Sequence, residues 1–165
     1  MNGLENTTYV TMLVISNIAA LILLFAAWKL PGLARLLLFL LFAWAGWINW
    51  QTALNNPTDY LEYGNLSISK FYRNFINGWF KEHLLFMVGL IATCQIFIAV
   101  GMLSKRIVFK IAAMGGIVFL LAIAPLGVGS GFPCTLIMAI AMYLLLRHAP
   151  TNYLWVKEKP LIQLH

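Results

Sequence analysis

Apolar residues dominate five stretches of the chain, and polar or charged residues gather between them. The stretches run from Thr8 to Trp28, Leu33 to Leu54, Leu84 to Leu103, Ile107 to Ala124 and Pro133 to Arg147. A hydrocarbon core about 30 Å thick takes about 20 mostly apolar residues per helix, so each stretch reads as a transmembrane helix. The fifth is short and borrows length from Phe132 or from the residues after His148.

A different pattern occupies the interval from Asn55 to His83. Ile68, Phe71, Tyr72, Phe75, Ile76, Trp79 and Phe80 recur at three- and four-residue steps, which is one face of an α-helix. Ser67, Ser69, Lys70, Arg73, Asn74, Asn77 and Lys81 fall on the other face. The spacing predicts an amphipathic helix over 66–81, capped by Asn65 or Ser67, lying in the outer interface with its aromatic face down. Asn55-Asn56-Pro57-Thr58 reads as the turn that stops the second helix.

Composition sharpens this picture. The chain of 165 residues is 62% hydrophobic and 10% charged, against about half apolar and about a quarter charged in soluble proteins. That excludes an ordinary soluble enzyme, a disordered tail and a nucleic-acid binder. The net charge of +6 then bears on orientation, because inner loops collect Lys and Arg. With the N-terminus outside, the inner side receives Lys29, Arg35, Lys105, Arg106, Lys110, Arg147, Lys157 and Lys159, and only Lys70, Arg73 and Lys81 stay outside. The outer basics are matched by Asp59, Glu62 and Glu82, the inner ones by Glu158 alone.

The expected organisation is a single all-α membrane domain over 1–165. An N-terminal helix occupies 1–30, a four-helix bundle 33–148 with the surface helix 66–81 at its outer edge, and a cytoplasmic tail 149–165. The start carries Glu5 and no Lys or Arg before a long apolar run, so the first helix is expected to be a retained anchor rather than a signal peptide.

Side chains that could carry chemistry are polar ones at membrane depth. Ser16, Asn17, Thr93 and Gln95 come out near the midplane at about 1.5 Å per residue. They suit a headgroup site or, more simply, hydrogen bonds between helices. No ionisable residue is expected deep in a span, so a proton pump lacks its relay.

Nearer the outer surface, Asn49, Gln51, Glu82 and His83 share a level with Trp44, Trp47, Trp50, Tyr60, Tyr63, Tyr72 and Trp79. A cleft there would combine aromatic walls with a few polar groups, the make-up of a small-molecule site. An interfacial aromatic belt is the plainer reading of the same residues. The ligand-binding candidates are Trp47, Asn49, Trp50, Tyr72, Trp79, Glu82 and His83. Histidine is the one residue type here suited to proton exchange, but adjacent residues on a helix point about 100° apart, so Glu82 need not touch His83.

Other motifs weigh less. The two cysteines and three histidines have no metal-binding spacing, and Met138 with Met142 suits packing better than copper binding. Pro125-Leu126-Gly127-Val128-Gly129-Ser130-Gly131-Phe132-Pro133 reads as a hairpin between helices, with a dip into the membrane as the other option. Gly89 and Gly115-Gly116 are candidates for close helix approach. Asn6 and Asn65 head formal glycosylation sequons, which matter only in a eukaryotic secretory pathway.

From Arg35 onward the chain resembles the DoxX-like family of small membrane proteins. The likeness lies in Arg35-Leu36-Leu37-Leu38 leading to Ala45-Gly46-Trp47, the long outer segment, Glu82 to Leu103 ending Ala99-Val100-Gly101-Met102-Leu103, and two closing hydrophobic helices. The resemblance implies a four-helix bundle, a bacterial inner (plasma) membrane and a link with quinone-reducing or oxidative-stress complexes. The first helix departs from that plan, and no catalytic motif carries over.

Three function classes follow. The first is a non-catalytic bundle that binds a lipid or quinone or serves as membrane subunit of a redox complex, with membrane lipid, a membrane protein or a second copy as partner and no nucleic acid. The second is a small transporter or channel, disfavoured by the uncharged spans. The third is a membrane enzyme using His83 and Glu82.

Overall fold

The computed structural model describes residues 4–156. Lys157, Glu158 and Lys159, counted above on the inner side, lie outside the described residues, as does the rest of the tail beyond Val156. Among the described residues the chain is helical, without strands.

Helix α1 spans Thr7–Lys29, α2 Pro31–Asn55, α5 Leu84–Leu103, α6 Arg106–Ile123 and α7 Cys134–Arg147, with the short helices α3 (Glu62–Leu66) and α4 (Lys70–Phe75) between α2 and α5. Four elements are long and apolar enough to cross a membrane: Thr7–Lys29, Pro31–Asn55, Leu84–Leu103 and Arg106–Ser130, the last joining α6 to the 3₁₀ turns that continue it. The apolar α7 has 14 residues. All five lie within two residues of the bounds expected from hydropathy. Local chemistry sets the ends. The Asn6 side chain accepts the Thr8 N–H at 2.9 Å and opens α1, and Pro31 stands in the first turn of α2, where its missing N–H costs nothing.

Helix α2 packs on α5, α5 on α6, α6 on α7, α7 on α1 and α1 back on α2, which closes a ring of five helices. The expected four-helix bundle with an added helix is therefore revised, because α1 completes the ring. Its buried Ala20, Ala26 and Ala27 let the neighbouring backbones approach. Leu38, Phe42, Met102, Phe109 and Met142 fill the centre. Phe86, Phe97, Val118 and many other large apolar side chains face outward, the arrangement that lipid solvates.

Close approach is greatest at glycines. A Cβ on Gly101 would stand 2.1 Å from the Ala112 Cβ, and one on Gly116 2.3 Å from the Met142 Cε. Gly89 lies under the Trp50 ring, whereas a Cβ on Gly115 would meet only Ile98, at 3.9 Å. Of the expected adjacent pair, Gly116 alone makes the tight contact.

The amphipathic segment departs from expectation. Instead of one helix over 66–81, α3 ends at Leu66, α4 runs only from Lys70 to Phe75, and Ile76–Phe80 forms a π-helical turn broken at Gly78 (φ −101°, ψ −113°). The cause is lateral bonding. The Ile68 N–H and the Ser67 hydroxyl both donate to the Pro125 carbonyl, each at 3.0 Å, and pull 67–69 out of helical geometry. Ser69, rather than Asn65 or Ser67, stands at the N-cap of α4. The aromatic face is split as a result: Ile76 and Phe80 are buried, while Ile68, Phe71 and Trp79 are exposed.

One further feature was not anticipated. Arg35, counted among the inner-side cations, is 6% exposed. Its Nε donates to the Met102 carbonyl at 2.9 Å and an Nη to the Ser104 carbonyl at 2.6 Å, so it caps the C-terminal end of α5. In the link after α6, Gly127 (φ 67°) and Gly131 (φ 72°) adopt left-handed backbone, and the Phe132 N–H donates to the Gly127 carbonyl at 3.0 Å, folding the link back on itself.

Candidate functional site

Helices α2, α5, α6 and α7 line a half-open chamber of about 430 Å³, within the range of small-molecule sites. Two helices build its walls with the same spacing. Phe42, Ala45 and Asn49 on α2 and Val88, Ile91 and Gln95 on α5 each fall at i, i+3 and i+7, one face of a helix. Phe119, Leu120 and Ile123 of α6 and Met138 of α7 supply the opposite wall, and Tyr72, Phe75, Ile76 and Phe80 form the roof.

Polar groups within this apolar surface are few and connected. Asn49 Nδ2 donates to Gln95 Oε1 at 2.7 Å, and the Tyr60 hydroxyl donates to Asn49 Oδ1 at 2.9 Å. The Tyr72 hydroxyl donates to the Ala122 carbonyl at 2.6 Å and ties the roof to α6. Thr135, 1% exposed, lines the chamber, and its buried hydroxyl makes no hydrogen bond among the described residues.

A second, more polar cavity of about 420 Å³ adjoins the chamber and shares Asn49, Tyr60, Tyr63 and Gly129 with it. Tyr9, Thr52, Asp59 and Glu62 line this vestibule, and the Tyr9 hydroxyl donates to Glu62 Oε1. Tyr60 and Tyr63 stack at 6.0 Å between centroids in the dividing wall. Burial raises both phenols above their ordinary pKa; the carboxylates of Glu62 and Asp59 add to the rise at Tyr63, and a hydrogen bond with Thr52 opposes it at Tyr60. Both therefore stay protonated at neutral pH as hydrogen-bond donors.

Of the residues expected at the site, Asn49 and Tyr72 line the chamber. Trp47, Trp50, Trp79, Glu82 and His83 are exposed and stand outside it. The face of α2 that holds Ala45 and Asn49 turns Trp47 and Trp50 away. The π-helical turn swings Trp79 outward, where it stacks on His83 at 4.5 Å and its carbonyl accepts from His83 Nδ1–H at 2.9 Å.

The residues that sequence reasoning left outside the site are Tyr60 and Tyr63, read as belt, Gln95, read among the midplane polars, and Thr135. A usable signal existed in the shared spacing of 42/45/49 and 88/91/95. The other midplane side chains serve backbone. The Ser16 hydroxyl donates to the Leu13 carbonyl, the Thr93 hydroxyl to the Gly89 carbonyl, and Asn17 Nδ2 to the Leu13 and Gly131 carbonyls.

An apolar chamber with a small polar hub at one end accommodates a neutral molecule that has an apolar body and one polar edge. Comparison with protein-family models, with characterised proteins and with solved structures finds no match to this chain.

Proposed function

We propose that this protein is a non-catalytic membrane bundle that holds one neutral amphiphile, a lipid chain or a quinone-type ring, in the chamber. The observation that carries the reading is the hub of Asn49, Gln95 and Tyr60 set at one side of an otherwise apolar cavity. A ring or chain fills the apolar part and exchanges hydrogen bonds with the hub or with the free hydroxyl of Thr135. The proposal includes five spans, with the N-terminus outside and the C-terminus in the cytoplasm. Helix α7 is about 21 Å long at 1.5 Å per residue, and the turns over 124–133 supply the remaining depth. Placement in a bacterial inner membrane, beside a redox complex, rests on the DoxX-like resemblance. The enzyme reading loses ground because Glu82 and His83 stand outside the chamber.

Chloroform extraction of the purified chain, followed by mass spectrometry, tests the proposal. The expected result is one dominant lipid or quinone at near-equal stoichiometry, lost when Ala45→Phe fills the chamber and reduced in Asn49→Ala. A folded Ala45→Phe variant that retains the same molecule at the same occupancy, or a wild-type protein that yields none, overturns it.

A further inference from the structure

The opposite end of the bundle carries a second pocket with different chemistry. It lies between the start of α6 and the end of α7, has a volume of about 560 Å³, and is lined by Arg106, Lys110, Arg147 and His148 together with Ile107 and Leu146. Its floor is held in place. The Arg106 N–H donates to the Pro150 carbonyl at 2.9 Å, and the Leu154 N–H donates to the Leu103 carbonyl at 3.1 Å, so the strap after α7 is laced to the α5–α6 corner. Lys105 Nζ sits 4.7 Å above the Tyr153 ring in the same lacing.

Three observations give the pocket a sign and a ligand class. First, none of its lining residues is acidic. The carboxylates among the described residues are Glu5, Asp59, Glu62 and Glu82, and all belong to the roofed end, so three guanidinium and ammonium groups face one space without a neutralising partner in it. Second, Arg106 has φ 48°, a left-handed backbone that a non-glycine residue rarely adopts. Such a conformation persists where the surroundings hold it, and it recurs at ligand clamps. Third, the pocket opens on the first turn of α6, whose N-cap Lys105 provides no side-chain capping bond, and the positive end of a helix dipole favours an anion there.

We infer that this pocket binds the phosphate of an anionic membrane lipid headgroup. A free phosphate shares the charge but not the setting. Ile107 and Leu146 make part of the lining apolar, and Ile107, Val108 and Ile111 are exposed along α6 beside it, a track that suits the glycerol and first methylenes of a lipid. Basic pockets between transmembrane helices bind lipid headgroups in this way. The site is separate from the chamber, so it stands or falls independently of the proposal above.

The test uses the full chain, delipidated in nonionic detergent, with native mass spectrometry counting bound phosphatidylglycerol or phosphatidylcholine. Phosphatidylglycerol is expected to be retained at least about tenfold better, since each cation near an anionic headgroup contributes roughly fivefold. Lys110→Gln, on the exposed face of α6, and Arg147→Gln should together remove most of that preference, even if Arg106→Gln fails to fold. Lys29→Gln, a cation outside the pocket, should leave it unchanged. Equal retention of the two lipids, or a preference that survives Lys110→Gln with Arg147→Gln, overturns the inference. So does displacement of phosphatidylglycerol by millimolar inorganic phosphate, which would mark a free-anion site.

Discussion

Asn49 on α2 donates to Gln95 on α5 at 2.7 Å while accepting the Tyr60 hydroxyl at 2.9 Å. Gln95 is 4% exposed, and its loss leaves the half-buried Asn49 Nδ2 donor without its partner. Gln95→Leu is expected to destabilise the bundle by about 1–3 kcal/mol, above the average of about 0.6 kcal/mol for interhelical hydrogen bonds in membranes. The double variant Asn49→Leu with Gln95→Leu should cost less than the sum of the two singles. Unfolding in mixed micelles of rising SDS content measures each value, and strict additivity would show that the two amides act separately.

Arg35 joins the start of α2 to the end of α5 through two carbonyls, and its guanidinium lies 5.2 Å from the Phe109 ring centre. Charge-assisted hydrogen bonds contribute about 1.5–3 kcal/mol each, so Arg35→Ala should lose on the order of 3 kcal/mol. Arg35→Lys recovers only part of that, because an ammonium lacks the planar fork. The same SDS titration ranks the three proteins, and a lysine variant equal to wild type would refute the forked contact.

Gly101→Ala drives a methyl against the Ala112 Cβ, held by the backbone of a facing helix. Overpacking of this kind costs about 1–3 kcal/mol. Gly116→Ala should cost less, since it meets the flexible end of Met142. Ala112→Gly placed beside Gly101→Ala should restore stability, and failure of that rescue would separate the defect from the contact.

Burial holds the Tyr63 phenol above its ordinary value of 10.0. A group whose folded pKa is raised contributes stability that is complete below the unfolded pKa and is lost as pH rises through the folded one. The Tyr63 contribution to stability should therefore stay level from neutral pH to about 10 and then be lost, so the alkaline fall should be less steep in Tyr63→Phe. Phenolate absorbance should show a late-titrating tyrosine that this variant lacks; identical titration curves would contradict the burial argument.

The proposed topology makes a direct prediction. In a background with Cys94→Ser and Cys134→Ser, a cysteine placed at Asn65 should react with a membrane-impermeant maleimide in intact cells, and one at Lys105 should react only after lysis. The reverse pattern inverts the orientation.

Hydropathy made the five apolar helices legible because lipid and core both ask for apolar side chains, and Pro31, Asn56 and Pro57 punctuate them strongly. The surface helix was misread for a physical reason. Periodicity reports a face, but the Ser67 and Ile68 bonds to Pro125 come from a segment far along the chain, and Gly78 interrupts what the face continues. Asn49 was legible as a lining residue because it is a polar residue on the outer level that the aromatic residues share. Trp47, Trp50 and Trp79 were misplaced because aromatic enrichment marks an interface without saying which way a ring points. Arg35 was read only as an inner-side charge, since nothing near it in sequence shows the carbonyls it meets.

The roof has a place in time as well as in space. Ser67 waits for Pro125, 58 residues later, and Tyr72 waits for Ala122, 50 residues later. Neither acceptor exists until most of α5 and α6 has been synthesised, so residues 62–80 leave the ribosome before either anchoring carbonyl is present. Closing so long a loop carries its entropic cost before the bonds repay it. A nascent chain halted before Ala122 therefore lacks both anchors of the roof, and it also lacks Thr135 and Met138 of α7, which complete the wall.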